Sequence, residues 1–219
     1  MRNLVIFGDT QFAERLSKYI ILEGVDRVYA FTQEERFMTR TEINGIPVIP
    51  FEKLGATLKE DFSVILGIGY TKMNTLRAKL YNLCKEAGYE VGSYISSKAL
   101  VLSDEIGEGT FVCPGVVIGP DCKLGKGNYI ESSAVLTHDN TLGDFNFVST
   151  NAVFGGFAKV EDNCFIGLHS TIKDDVTIAS GNLIGSAANV LKSIVETSGV
   201  YVGNPARQLS GKQSINTDI

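Results

Sequence analysis

An α/β lobe with a parallel sheet, followed by an all-β parallel β-helix of six-residue repeats, is the fold class that these 219 residues predict. Three observations predict it. An apolar residue falls on every sixth position without a break, from Leu100 through Ile106, Val112 and Ile118 to Val190. The residues around it keep a fixed character: glycine often follows it, as at Gly107, Gly119 and Gly143, and the fourth residue on is small or turn-forming, as at Cys122, Asn128 and Ala134. Before residue 97 the pattern changes to short apolar runs alternating with helical spacings.

The lobe comes first in the chain. Residues 3–8 read as a buried strand closed by Gly8, residues 12–22 carry the helical spacing Phe12, Leu16, Tyr19 and Ile20, and Arg27 to Phe31 form a second strand. Strand, turn, helix, strand opens a doubly wound, Rossmann-like nucleotide-binding unit. The turn Gly8-Asp9-Thr10-Gln11-Phe12 lacks the repeated glycines that let a pyrophosphate approach backbone amides. Asp9 would repel phosphate there, so it either accepts from a base or sugar hydroxyl or, like Thr10, caps the helix. Asn44-Gly45 between extended segments signals a hairpin, 51–58 a short helix, and 63–69 a further buried strand. An amphipathic helix from Asn74 to Ala87 stops at Gly88, and 90–95 completes the lobe. Asn74 and Arg77 share a face at that helix's start, beside Gly69 and Tyr70, where an anion is welcome.

Neither a helix nor a half-buried strand repeats at six. A coil whose turn holds whole six-residue faces does. With three faces a turn takes eighteen residues, and Leu100 to Val190 covers five turns, roughly 24 Å at one strand spacing per turn. Such a column buries one side chain per face per turn, so its stability comes from stacking neighbours and its ends need covers. The domains are 1–97, the lobe; 98–208, the β-helix; and 209–219, a polar tail expected to fray.

The net charge of −5 gives no electrostatic case for nucleic acid or an anionic membrane. The first residues form neither a basic leader nor a membrane span, so the expected location is cytoplasmic. Cys84, Cys113, Cys122 and Cys164 show no Cys-x-x-Cys spacing and read as reduced, buried thiols. The only histidines are His138 and His169, too few for a three-histidine metal site in one chain, and no metal is expected. They stand 31 residues apart, not a multiple of eighteen, so they lie on different sides of the column.

His138 is third in its hexad and points outward, next to Asp139. Imidazole titrates near neutrality and can take a proton as an amine or hydroxyl attacks a thioester. A carboxylate on its other nitrogen would fix the tautomer. Asp139 is adjacent along the chain, and neighbours on an extended strand point oppositely.

The hexads resemble the hexapeptide-repeat acyltransferases, which wind as a left-handed β-helix, against the usual right-handed crossover. The lobe, the Ser96-Ser97 junction, the His138-Asp139 pair and the closing Gly203-Asn204-Pro205-Ala206-Arg207, in this order, resemble one subfamily. It comprises the nucleotide-sugar N-acetyltransferases of bacillosamine and perosamine synthesis and sialic acid O-acetyltransferase-like relatives. The resemblance implies a homotrimer with His138 as general base and acetyl-CoA in a groove between columns. Asn146, Gly156, Gly167, Gly185, Ala187 and Ala188 fall where relatives line that groove. It further implies that the lobe holds a nucleotide-linked amino sugar, the candidate contacts here being Gly8, Asp9, Thr10, Gln11, Thr32, Gly69, Tyr70, Asn74 and Arg77. Two positions depart from the pattern. Asn146 stands where some relatives have a second histidine, and it shares an eighteen-residue register with Asn128 and Asn182, as a corner residue would; Thr32-Gln33-Glu34 replaces an acidic pair after the second strand. The expected activity is acetyl-CoA-dependent N-acetylation of a UDP-linked 4-amino-6-deoxy sugar. The alternatives are O-acetylation of sialic acid or another sugar and a non-catalytic trimer that binds sugar nucleotides.

Overall fold

The computed structural model describes residues 1–217. The lobe contains β1 (Asn3–Phe7), α1 (Gln11–Glu23), β2 (Arg27–Gln33), β3 (Glu42–Ile43), β4 (Ile46–Pro50), α2 (Leu54–Thr57), β5 (Ser63–Leu66) and α3 (Thr75–Glu86). Its sheet has the order β3-β4-β2-β1-β5, with β4, β2, β1 and β5 parallel. β3 returns antiparallel on β4 through Asn44 and Gly45, whose φ values of 52° and 79° suit the predicted tight turn. Leu4 to Phe7 have no solvent exposure, as a central strand covered on both faces requires. Gly24 ends α1 in the left-handed conformation, φ 65°.

The segment expected to be the lobe's last strand divides. Val91 bridges to Val64 of β5, whereas Tyr94–Ile95 stacks on Phe111–Val112 as the first rung of the β-helix. Gly92 permits the close crossing, since a Cβ there would lie 2.8 Å from that of Ser63.

From there the chain winds as a left-handed triangular column. Each turn runs through face one, a corner, face two, a corner, face three and a corner. Face one stacks Tyr94–Ile95, Phe111–Val112, Tyr129–Ile130, Phe147–Val148, Phe165–Ile166, Leu183–Ile184 and Gly199–Val202 in parallel. Face two runs from Leu100–Val101 to Asn189–Val190, and face three from Lys123–Leu124 to Thr177–Ile178. Pairing holds an eighteen-residue register, Val135 on Val153 on Thr171. The second residue of each pair points inward, and Ile118, Leu136, Phe154, Ile166 and Ile178 are all at 0% exposure.

The first turn corrects the apolar series. Leu100 pairs with Val117 and Val101 with Ile118, one residue short of the register above, so Val101 turns inward and Leu100 is 54% exposed. A strand slipped by one residue shows its other side to the core. The other end is corrected as well. The expected tail from 209 is, through residue 213, part of the strand Arg207–Gln213, antiparallel to Gly199–Val202. Ser214 then turns back, its hydroxyl donating to the Gly181 carbonyl at 2.6 Å. A mostly polar strand here caps a sheet edge that would otherwise present bare backbone; residues 218 and 219 lie outside the described residues.

Face one carries the lobe. Its outward residues form an aromatic ladder, Phe111 on Tyr129 at 5.2 Å, Tyr129 on Phe147 at 5.0 Å and Phe147 on Phe165 at 5.5 Å. Phe12 of α1 packs on Tyr129 at 5.1 Å, and Tyr70 sets its edge on Phe147 and Phe165.

Candidate active site

His138 follows the face-two strand Val135–Leu136 and occupies the corner between faces two and three. Asp139 there is left-handed, φ 53°, so the two side chains are not opposed as on an extended strand. Asp139 Oδ2 consequently lies 2.9 Å from His138 Nδ1, with both side chains part-exposed, 49% and 38%. A proton on Nδ1 facing this carboxylate leaves the lone pair on Nε2, the form that accepts a proton from a nucleophile. One turn on, Gly156 lies against the imidazole: a Cβ on it would stand 2.3 Å from His138 Cε1. Glycine at 156 is therefore what admits the ring. Phe157 closes the other side, edge to face at 5.3 Å and 87°.

The remaining residues expected along an acetyl-CoA groove all have structural roles in the column. Asn146 is fully buried within a corner. Its backbone N–H donates to Asn128 Oδ1 and its Oδ1 accepts from Cys164 N, each at 2.8 Å, so it belongs to an internal asparagine ladder. Ala188 is 1% exposed, in the separate buried corner column of Ala134, Ala152 and Ser170. Gly167 and Gly185 are stacking positions, where a Cβ would come within 2.6 Å of the Ile184 carbonyl and 2.8 Å of Val202 Cγ1. Ala187, exposed and left-handed, commits its N–H to the Leu168 carbonyl at 2.7 Å.

Most of the lobe residues expected to hold a sugar nucleotide also serve the fold. Gly8 donates its N–H to the Thr32 carbonyl, and a Cβ on it would reach 2.7 Å from the Gly67 carbonyl. Asp9 caps no helix: at 2% exposure it accepts from the backbone N–H and hydroxyl of Thr39, at 2.6 and 2.8 Å. Thr10 is the residue before α1, with no side-chain cap. Thr32 donates its buried hydroxyl to the Ile49 carbonyl. Arg77 is 1% exposed rather than facing a ligand. It donates to the carbonyls of Gly127 and Asn146, both at 2.9 Å, and of Gly69 at 3.2 Å, while Asn74 donates to the Cys164 carbonyl at 3.0 Å. Burial pushes its guanidinium down to about 9, still cationic at neutral pH. Asn74 and Arg77 therefore rivet α3 to the column. Thr10, Gln11 and Tyr70 remain open to a ligand.

Tyr70 borders a cavity of about 560 Å³ between α1 and the corner joining faces one and two. Arg15, Tyr19, Glu131, Phe147, Phe165, Leu168 and the hydroxyl residues Ser132, Ser149, Thr150 and Ser186 complete its lining. Arg15 and Glu131 form an ion pair at 2.8 Å; burial, the largest influence, works against the Arg15 charge, but Glu131, Tyr129 and Tyr19 together outweigh it and raise its pKa. These residues escaped the sequence reading. The eighteen-residue column Ser132, Thr150, Leu168, Ser186 and the four-residue step from Gln11 to Arg15 were the signals available.

A smaller hollow of about 260 Å³ lies at the column's end, where Lys192 and Arg207 flank Val190, Ile194 and Tyr201. His169 occupies the corner between faces one and two, its Nε2 3.2 Å from Asn151 Nδ2. All four cysteines are buried, and burial pushes Cys84, Cys113 and Cys164 up to about 12, leaving them as thiols. Among the described residues no three His, Cys, Asp or Glu side chains gather as metal ligands would, and no helix is long and apolar enough to cross a membrane.

Residues 105–138 match the bacterial transferase hexapeptide (six repeats) family. No curated protein sequence matches the chain. The structure resembles the acetyltransferase domain of PglB from Neisseria gonorrhoeae FA1090, at 23% identity over 95% of this chain and 100% of that one, TM-score 0.82. It also resembles a mutant of perosamine N-acetyltransferase from Caulobacter crescentus in complex with CoA and GDP-perosamine, at 25% identity over 96% and 98%, TM-score 0.83. WeeI from Acinetobacter baumannii AYE matches at 23% identity over 95% and 100%, TM-score 0.71.

Proposed function

We propose, from the premise that the chain belongs to the hexapeptide-repeat acyltransferases, that it moves an acetyl group from acetyl-CoA to the amine of a nucleotide-linked amino sugar. The finer reading is a UDP-linked 4-amino-6-deoxy sugar. The observation that carries acetyl transfer is the outward imidazole of His138, held by Asp139 at 2.9 Å with Nε2 free. The attacking amine forms a C–N bond to the thioester carbonyl as Nε2 takes its proton. The tetrahedral intermediate then expels the CoA thiolate, which recovers that proton from the imidazolium. The structures of the Neisseria domain with acetyl coenzyme A and of the Caulobacter enzyme with CoA and GDP-perosamine support this choice of substrates.

A homotrimer is supported by where groups sit on the triangle. Face two is bare and carries Val117, Val135 and Val153 outward. Its two flanking corners hold the cavity, on the face-one side, and His138, on the face-three side. Three columns with face two turned to a common axis bring the His138 corner of each chain against the cavity corner of the next. Each site in this homotrimer then combines one chain's base with its neighbour's cavity. Lys192 and Arg207 beside their apolar hollow suit the phosphates and adenine of acetyl-CoA.

A screen of nucleotide-linked amino sugars with acetyl-CoA, read by mass, tests the activity: one acetyl group gained is expected, and binding without thiol release would leave only a sugar-nucleotide-binding protein. His138→Ala should lower kcat by ~10²–10⁴ fold with the melting temperature unchanged. Activity within a few fold of the parent would remove His138 as base. Mixing inactive His138→Ala chains with chains inactivated at Arg15 should regenerate activity if the site spans two subunits.

A further inference from the structure

We infer that Phe157 is a positioning residue for the His138 imidazole, kept at a corner whose left-handed backbone disfavours it. The inference rests on the reading of His138 as the base. The corner column containing Phe157 repeats every eighteen residues as Asp121, Asp139, Phe157 and Asp175, with φ values of 58°, 53°, 61° and 60°. Aspartate tolerates this left-handed region because its short side chain bonds locally, whereas a bulky side chain there is an outlier. Phe157 is in addition 50% exposed within its own chain, so no packing inside that chain offsets the strain.

The second left-handed phenylalanine sharpens the contrast. Phe145, φ 55°, is 6% exposed, lies over Gly127 and packs its ring on Tyr81 at 5.5 Å. Its strain is offset by the joint it fills. The aromatic partner of Phe157 is the imidazole itself, 5.3 Å away and nearly perpendicular. Asp139 holds that imidazole at Nδ1, Gly156 lies against its Cε1 edge, and Phe157 blocks rotation toward the remaining side. An imidazole hinged only at Nδ1 could swing Nε2 off the line of proton transfer, a misplacement that costs rate but not substrate binding.

The test compares Phe157→Asn, which suits the left-handed backbone, with Phe157→Tyr, which keeps the ring. Phe157→Asn should melt no lower than the parent and remain the same oligomer, yet lose about 10- to 100-fold in kcat at unchanged KM for acetyl-CoA. Phe157→Tyr should stay within a few fold of the parent. With only two histidines in the chain, the His138 ring signals are resolvable by NMR and should shift or broaden in Phe157→Asn alone. Unchanged kcat, unmoved ring signals, or a loss of melting temperature or assembly in step with activity would overturn the inference. Should His138→Ala keep full turnover, the base assignment fails by itself, and the ring signals still decide whether Phe157 orients that side chain.

Discussion

Faces one and two of the column obey the same inward rule and opposite outward ones. Inward, both present fully buried apolar residues, Ile130 and Val148 on one, Leu136 and Phe154 on the other. Outward, face one shows stacked aromatic rings that the lobe covers, while face two shows valines with nothing over them, Val153 at 37% exposure. Face three shows Lys123, Thr141, Lys159 and Thr177, a solvated surface. The inward residues thus specify the coil and the outward ones specify what each side meets. Polar chemistry divides the same way: on the lobe side Arg77, Asn74 and Asn128 are buried and spent on backbone carbonyls, whereas His138 and Asp139, beside the bare face, stay solvent-accessible.

The largest effect expected from that division is on stability, at Arg77. Arg77→Met keeps the bulk and removes the donors, stranding the carbonyls of Gly127, Gly69 and Phe145 in a dry joint, while that of Asn146 keeps the Tyr129 N–H. A loss of about 3–5 kcal/mol is expected, the scale for several buried carbonyls left unpaired. Chemical denaturation followed by circular dichroism measures it, and limited proteolysis near residue 97 should show the lobe released before the column. A loss below about 1 kcal/mol would mean that the aromatic ladder alone holds the lobe.

On the bare face the same kind of insult should act on assembly instead. Val153→Asp adds a charge at an exposed outward position that packs into nothing within its own chain. Around a threefold axis it would set three carboxylates together, at a cost of several kcal/mol. Sedimentation should show monomers, with activity lost and the single-chain melting transition retained. An undisturbed trimer would put the axis on another face.

The column was legible because a period of six has no rival reading, and the lobe because its strand and helix periods alternate. What was not legible depended on distance or handedness. Spacing places Arg77 at a helix start, but only tertiary contact shows five-donor chemistry spent on the backbone of a column whose nearest contributing residue is fifty positions away. Nothing in the hexads marks the one-residue slip that turns Leu100 outward. The reach of Asp139 to His138 depends on a left-handed corner, whereas the extended strand assumed for that pair separates them. Asn146 shows the converse: its register with Asn128 and Asn182 already marked a corner, and the buried ladder is where the structure has it.

The smallest expected effect again separates the two sides, now by strain. Between β5 and α3, Lys72, Met73 and Asn74 are left-handed in succession, φ 49°, 49° and 64°, in the loop that sets Tyr70 against face one. Asn74 is tied to the Cys164 carbonyl and Met73 is 3% exposed, so both have packing to offset the cost. Lys72 is exposed, with the strain and no burial to set against it. A left-handed conformation costs an L-residue roughly 1–2 kcal/mol, and glycine gives back part of that as extra unfolded-state entropy. Lys72→Gly should therefore raise stability by about 0.5–1 kcal/mol, seen as a higher urea midpoint at unchanged slope, with Lys72→Ala showing no gain. Stabilisation by both variants would assign the effect to lost lysine charge rather than to backbone; stabilisation by glycine alone would show that the lobe side holds Tyr70 in place at a cost in conformational strain.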